Sequence, residues 1–181
     1  MHALEIDDAL DGMVCLIDTR EQDTPRLRAR IKQMNCPYKR EKLDFGDYSA
    51  KFPLSNGEWF SLADKVTIER KMHLDELCHC YCQDRDRFKY EFERAQAANA
   101  KIYMLIEDAT WEKIYAGKYR SQMRSTALVA SILAWMTRYN CTVIFCKPET
   151  SGQLIKDILY REGKERMERG DADCINIQND E

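Results

Sequence analysis

Six consecutive residues constrain the fold of this chain more than any others: Val66-Thr67-Ile68-Glu69-Arg70-Lys71. Three β-branched side chains in a row read as a strand. Successive strand side chains point to opposite faces, so Glu69 and Lys71 share one face and Arg70 takes the other. Such a strand starts inside a core and ends at a polar site. Taken alone, the charged triplet also fits a solvated strand end, because charges populate element ends freely. Its neighbours decide between the two readings.

At 181 residues the chain is long enough for one domain with a proper core. With 44% hydrophobic and 33% charged residues it reads as a soluble globular protein rather than a disordered one. The net charge is -3, so nucleic-acid binding would have to come from a local basic patch. No apolar run approaches the ~18 to 20 residues of a membrane span, and the N-terminus lacks a basic, apolar signal pattern. A cytoplasmic protein with no membrane partner is expected. The phosphate-cradling patterns GxGxxG and GxxxxGK[ST] are absent, which argues against nucleotide folds. The eight cysteines lie mostly in apolar runs with no CxxC pair, and read as reduced, buried residues. Cys78 and Cys82 share a helix face but Cys80 points away, so one turn does not offer all three to a tetrahedral zinc ion.

Residues 1–12, with Glu5, Asp7, Asp8 and Asp11, read as a loose lead-in. Residues 13–17 read as a buried strand ending in Asp18-Thr19-Arg20-Glu21, the place where open α/β sheets carry their sites. Residues 25–35 read as a helix with Thr24 as cap and Pro25 in its first turn. Leu27, Ile31 and Met34 form its apolar stripe, and Arg26, Arg28, Arg30 and Lys32 face elsewhere. Residues 37–43 form a second strand, Asp44-Phe45-Gly46 a turn, and residues 47–52 a third strand. Asn56-Gly57 signals a hairpin pairing that strand with residues 58–62, or with the strand ending in Glu69. Asp47 and Glu69 then lie in neighbouring antiparallel strands, where their carboxylates can meet.

Residues 74–81 and 86–99 read as helices, the first with Asp75 as a candidate N-cap and the second with Arg85, Arg87, Lys89 and Arg94. Residues 102–106 are a buried strand closed by Glu107-Asp108, and a short helix follows around Trp111. Residues 121–139 form a long helix, apolar nearly all round, that needs cover from a partner subunit or from a deep core. Residues 142–146 are the last strand, 151–169 an amphipathic helix, and the polar end from Asp171 frays. No repeat or linker divides the chain. The alternation indicates one α/β domain with a mixed sheet.

Asp18, Glu21, Asp47, Glu69 and Asp75 all fall at or just past strand ends, with Arg20, Arg70 and Lys71 among them. Like charges so gathered raise one another's pKa unless a cation neutralises them. All-oxygen ligands favour Mg²⁺ or Mn²⁺. The chemistry that fits is phosphodiester hydrolysis, with Lys71 positioning water or phosphate.

Gly46-Asp47-Tyr48 followed by Glu69-Arg70-Lys71 and, after three residues, Asp75 resembles the GDxₙERKxxxD signature of the XPF/Hef family of structure-specific endonucleases. Asp18-Thr19-Arg20-Glu21 resembles the family's D-x-R-E segment, and Arg87-Phe88 its later basic position. The resemblance covers roughly residues 13–146. It implies a restriction-endonuclease-like α/β fold, a central mixed sheet flanked by helices, over a single nuclease domain. It implies metal-dependent cleavage of branched, forked or flapped DNA. Asp18, Asp47, Glu69, Lys71 and Asp75 become the catalytic set, and Asp18, Asp47 and Glu69 the ligands for Mg²⁺ or Mn²⁺. Arg20, Glu21, Arg70, Arg85, Arg87 and Lys89 become supporting or DNA-binding residues. Family members act as dimers, so a homodimer through residues 121–169 is expected. The chain departs from the family in lacking helix-hairpin-helix elements after Cys146 and a helicase segment, so a separate DNA-binding or helicase partner is implied. Glu91 stands where the family pattern has glutamine. The competing expectation is a non-catalytic DNA-binding or scaffold subunit on the same fold.

Overall fold

The computed structural model describes residues 1–172. In chain order the elements are α1 (Ala3–Asp11), β1 (Val14–Ile17), α2 (Pro25–Met34), β2 (Tyr38–Arg40), β3 (Tyr48–Pro53), β4 (Trp59–Ser61), β5 (Val66–Lys71), α3 (Leu74–Cys82), α4 (Arg85–Ala97), β6 (Lys101–Glu107), α5 (Trp111–Tyr115), α6 (Ser125–Arg138), β7 (Cys141–Cys146) and α7 (Pro148–Glu168). The strands form one mixed sheet in the order β2-β1-β3-β5-β6-β7, with β4 paired to β3. The β1–β3, β3–β4 and β3–β5 pairs are antiparallel; β1–β2, β5–β6 and β6–β7 are parallel. The strand ending in Glu69 is therefore central, as an apolar run closed by charges requires.

Strand alternation divides the core in two. Cys15, Ile17, Tyr48, Ala50, Phe52, Val66, Ile68 and Leu105 face a cluster shared with α1, α2 and α7. Ile102, Met104 and Ile106 face a second cluster with α3, α4, α5 and α6. In that second layer Trp135 of α6 meets Tyr81 edge-on at 4.9 Å and stacks on Phe88 at 5.8 Å, while Phe92 lies 6.1 Å away. Aromatic contacts of this kind fix the mutual positions of α3, α4 and α6.

Four expectations need correction. The first residues are not a loose lead-in: α1 buries Ile6, Ala9 and Leu10, at helical spacing, and its acids face outward. Arg30 does not face solvent with the other α2 cations; it is buried among them as the one that shares the apolar stripe. Asp75 does not cap α3, because His73 Nδ1 accepts the Glu76 N–H as the cap. Finally, α6 begins at Ser125 rather than 121, because the Arg120 and Ser121 amides are donated to the Asp75 carboxylate. Only one side of α6 is buried, through Leu128, Ile132 and Trp135. The fraying expected from residue 171 falls, apart from Asp171 and Ala172, outside the described residues, and Ala172 is buried. Among the described residues no helix is long and apolar enough to cross a membrane.

Helix α7 lies tight on its neighbours at two glycines. A Cβ on Gly152 would collide with the Arg30 carbonyl oxygen, and one on Gly163 with the Phe52 ring. In an exposed helix Gly→Ala stabilises by about 1 kcal/mol. Here the obstacle at Gly152 is backbone, which cannot swing aside, so overpacking wins. Gly152→Ala is expected to destabilise the fold by about 1–3 kcal/mol, read as a lower urea midpoint at unchanged slope.

Candidate active site

Gly46 positions the first acid. Its φ of +71° is a left-handed conformation, and a Cβ there would lie 2.6 Å from Thr67 Oγ1, so glycine is required on both counts. The next residue, Asp47, donates its N–H to the Ile68 carbonyl at 2.8 Å and accepts the Arg70 N–H on Oδ2 at 2.8 Å. The ladder pairing Tyr48 with Ile68 thus sets Asp47 beside the charged end of β5.

Asp47, Glu69 and Lys71 line one cleft of about 270 Å³, together with Arg20, Glu21 and Arg87. Glu69 and Lys71 share a strand face, as their spacing predicts, and Lys71 Nζ donates to Glu69 Oε1 at 2.5 Å. Both are buried. Burial raises the Asp47 carboxyl well above the usual range, and the Glu69 carboxylate raises it further; Lys71 opposes both. Burial also raises Glu69, against the pull of Lys71. Burial works against the Lys71 charge, but Glu69 and Asp47 outweigh it and push the ammonium above its ordinary value. The Phe88 ring lies 5.1 Å from that ammonium and ties it to the aromatic core.

Asp18 is adjacent but differently employed. Its N–H donates to the Asp47 carbonyl at 2.9 Å. Its Oδ1 accepts from Arg20 N and Nε, both at 2.7 Å, and its Oδ2 accepts the Leu43 N–H at 2.7 Å. Burial opposes its charge, but these hydrogen bonds outweigh it and hold the carboxyl below the usual range. With both oxygens engaged, Asp18 orients Arg20 toward the cleft rather than lining it. Asp75 is further removed. It accepts the Arg120 and Ser121 amides at 2.7 and 2.8 Å and lines a neighbouring hollow with Cys78, Arg120 and Met123. So of the acids expected at a common centre, the structure brings Asp47, Glu69 and Glu21 into the cleft and leaves Asp18 and Asp75 outside it.

The cations divide in the same way. Arg20 and Arg87 line the cleft; Arg85 and Lys89 do not, and Lys89 pairs with Glu93 at 3.3 Å. Arg70 lies on the opposite face of β5, 3.5 Å from Glu107. Glu76, His79, Asp84 and Glu91 also line the cleft, and sequence reasoning did not place them there. Residues 76, 79 and 80 share one face of α3, and 84, 87, 88 and 91 one face of α4, so helical spacing was the available signal. Glu91, standing at the family's glutamine position, accepts the Gly46 N–H at 2.8 Å and so braces the turn before Asp47.

Among the described residues no three His, Cys, Asp or Glu side chains are gathered tightly enough to hold a metal ion by themselves. The donors that do face one another, Asp47 and Glu69, are hard oxygens. Each is pushed toward its neutral form by burial, and Asp47 by the Glu69 charge as well. A divalent cation relieves both effects, so this pair fits Mg²⁺ or Mn²⁺.

A family model of the ERCC4 domain matches residues 17–158. A comparison with curated proteins found no match. Among solved structures, XPF from Aeropyrum pernix superposes with a TM-score of 0.58 at 16% identity, covering 82% of this chain and 61% of that one. XPF from Aeropyrum pernix in complex with DNA superposes with a TM-score of 0.57 at 17% identity, covering 84% of this chain and 65% of that one. The chain thus spans less than two thirds of either XPF chain, and at these identities the likeness is one of fold. The family match runs from the last residue of β1 to the middle of α7 and includes β2 to β7, with Asp47, Glu69 and Lys71, and it is by this match that the chain belongs to the ERCC4 domain family, with the α/β nuclease-domain fold of archaeal XPF.

Proposed function

We propose that the protein is a Mg²⁺- or Mn²⁺-dependent DNA endonuclease that hydrolyses phosphodiester bonds in branched, forked or flapped DNA. The observation that carries this reading is the pair Asp47 and Glu69, two acids that line one cleft with Lys71 and whose ionisation burial opposes. Membership of the ERCC4 domain family supports it, as does the solved XPF complex with DNA.

Asp47 and Glu69 would hold the cation, which supplies an activated water and neutralises charge on the scissile phosphate. Lys71, kept protonated by its two acids, places a positive charge where the phosphate or the attacking water sits. Arg20, aimed by Asp18, and Arg87, which has no ion-pair partner among the described residues, would take phosphate oxygens along the cleft. Asp75 would act on the site only through the loop at 120–121 that it anchors. Arg85 and Lys89 would meet DNA beyond the cleft. A DNA-binding or helicase partner would add to recognition of the branch.

A homodimer through α6 belongs to the same proposal. The unburied side of α6 presents Ala127, Ala130, Leu133 and Met136, with Leu133 47% and Met136 37% exposed, beside the edge strand β7. Contiguous apolar surface of this kind marks an interface, and a two-fold partner covers it with the same surface. Leu133→Glu is expected to convert a dimer, seen by sedimentation at micromolar concentration, into a monomer; a wild-type protein that is already monomeric removes the dimer from the proposal.

The cleavage test uses fork, flap and linear DNA with and without Mg²⁺. Asp47→Asn and Glu69→Gln are each expected to lower the rate about 10²-fold or more. Wild-type protein that binds DNA yet cuts none in Mg²⁺ or Mn²⁺ is instead a DNA-binding or scaffold subunit.

The acids also predict a stability effect independent of cleavage. A carboxyl whose folded pKa lies above its unfolded value destabilises the fold fully at pH above the folded value. That penalty shrinks as pH falls through the folded value and is gone below the unfolded one. Asp47→Asn keeps an acceptor for the Arg70 N–H and removes the charge. Without metal, it should melt above wild type at pH 8, by about 2–4 °C for each kcal/mol relieved, with the gap closing as pH falls. Saturating Mg²⁺ should raise the wild-type melting temperature and leave Asp47→Asn nearly unmoved. Equal melting of the two proteins at every pH would remove the charge conflict from the site.

A further inference from the structure

Behind the cleft, on the opposite face of the sheet, lies a second set of charged groups that catalysis as proposed above does not use. Arg30 of α2 is buried, and its Nη1 donates to the Tyr48 hydroxyl at 2.9 Å. That hydroxyl in turn donates to Glu21 Oε2 at 2.9 Å. The other prong of Arg30, Nη2, donates to Glu107 Oε1 at 3.2 Å, so the guanidinium cannot rotate without giving up one of the two. Arg30 Nη1 also stands 3.9 Å from Glu21 Oε2, and the guanidinium lies over the Tyr48 ring, 5.9 Å from its centroid. The chain of donors runs one way, from arginine to phenol to carboxylate. It ends in the cleft, because Glu21 lines that cleft while Tyr48 and Arg30 do not.

Glu21 sits on a loop after β1, where a five-atom side chain would ordinarily sample several rotamers at a cost of roughly 1.5–2 kcal/mol to fix. Here one carboxyl oxygen is fixed by Tyr48, and the other takes no hydrogen bond from any described residue. The Asp47 carboxyl is raised in part by the Glu21 charge, after burial and Glu69, so the two face the same space. The backbone on either side of this loop is tied down as well: the Glu21 N–H donates to the Asp18 carbonyl at 3.1 Å, and Arg40 donates to the Glu21 carbonyl.

We propose that Arg30 and Tyr48 are positioning residues for the cleft, which hold Glu21 with its second oxygen turned toward the reacting phosphate and its water. The inference rests on the nuclease reading for its catalytic consequence, but not for the contact itself. A merely structural role would make Arg30 an ordinary buried partner of Glu107, with the Tyr48 hydroxyl incidental.

Tyr48→Phe separates the two, because it deletes one hydroxyl from a buried ring and leaves the Arg30–Glu107 pair in place. It is expected to lower kcat about 10- to 100-fold, the usual loss when a group supporting a site residue is removed, with KM for DNA little changed. Glu21→Gln should lose a similar factor, and the double variant should lose no more than either alone. Additive losses, or a Tyr48→Phe protein with wild-type kcat, overturn the proposal. Urea midpoints of Tyr48→Phe, Glu21→Ala and their double variant report the contact without any cleavage. Non-additive midpoints support the relay even in a protein that cuts nothing, in which case it is the nuclease reading that has failed; additive midpoints overturn the relay itself. Arg30→Lys, which keeps the charge but not the two-pronged grip, should fall in kcat as Tyr48→Phe does.

Discussion

The buried pair Lys71–Glu69 is the contact on which this molecule turns. Two acids at the bottom of a cleft, Asp47 and Glu69, are each resisted by burial, and only one ammonium lies among them. A lysine so placed is itself expensive to bury, and becomes tolerable because the same two carboxylates surround it. Lys71 is the member on which the other two depend: removing it would leave both carboxylates uncompensated, whereas removing the Asp47 charge relieves part of the excess and leaves the Lys71–Glu69 pair in place. Everything near them is arranged to keep them together: Gly46 to let Asp47 approach, Glu91 to brace Gly46, Phe88 to hold the lysine.

Much of this was legible in the sequence because it depends on strand alternation, which is local. Val66-Thr67-Ile68 gives the strand, and the spacing of Glu69 and Lys71 gives their common face. Asn56-Gly57 gives the hairpin, and Thr24-Pro25 the start of α2, where the threonine side chain accepts the Leu27 N–H at 3.2 Å. What was not legible depends on contacts between distant segments. Asp75 looks like a cap until the amides of Arg120 and Ser121 claim it, 45 and 46 residues later. Asp18 looks free to face the cleft until Arg20 and the Leu43 N–H engage both its oxygens. Two misreadings were avoidable. Ile6, Ala9, Leu10 and Met13 keep a helical period beneath the acids that obscure it, and Arg30 falls on the same stripe as Leu27, Ile31 and Met34. A cation on an apolar stripe is a buried cation, and a buried cation has a partner.

That partner is what joins the two faces of the sheet. Behind it, Arg30 and Arg70 share a single close carboxylate, Glu107, at 3.2 and 3.5 Å. Arg30 Nε, Arg70 Nε and Arg70 Nη1 have no hydrogen-bond partner among the described residues. Burial opposes the Arg70 charge, yet Tyr48, Glu21, Glu107 and Asp47 together more than restore it. So the rear face is short of negative charge while the cleft has more than Lys71 can neutralise. The acids of the cleft answer the arginines behind it through one thickness of sheet, where the intervening medium screens poorly.

This balance bears on what the cleft can bind. A cation drawn to Asp47 and Glu69, as proposed, would also meet the repulsion of Arg70 and Arg30 behind them, so the site would hold it less tightly than three clustered carboxylates. An anionic phosphate entering the cleft meets the reverse: Lys71 in front and two guanidiniums behind favour it, while Asp47, Glu69 and Glu21 repel it until a cation is present. On the proposed function, ion and phosphate would therefore help each other to bind, since each would remove the charge that disfavours the other. The coupling requires neither a moving lid nor a change in fold. It follows from placing the acids on one face of β3 and β5 and the arginines against the other, which strand alternation does as soon as Asp47 is followed by Tyr48 and Glu69 by Arg70.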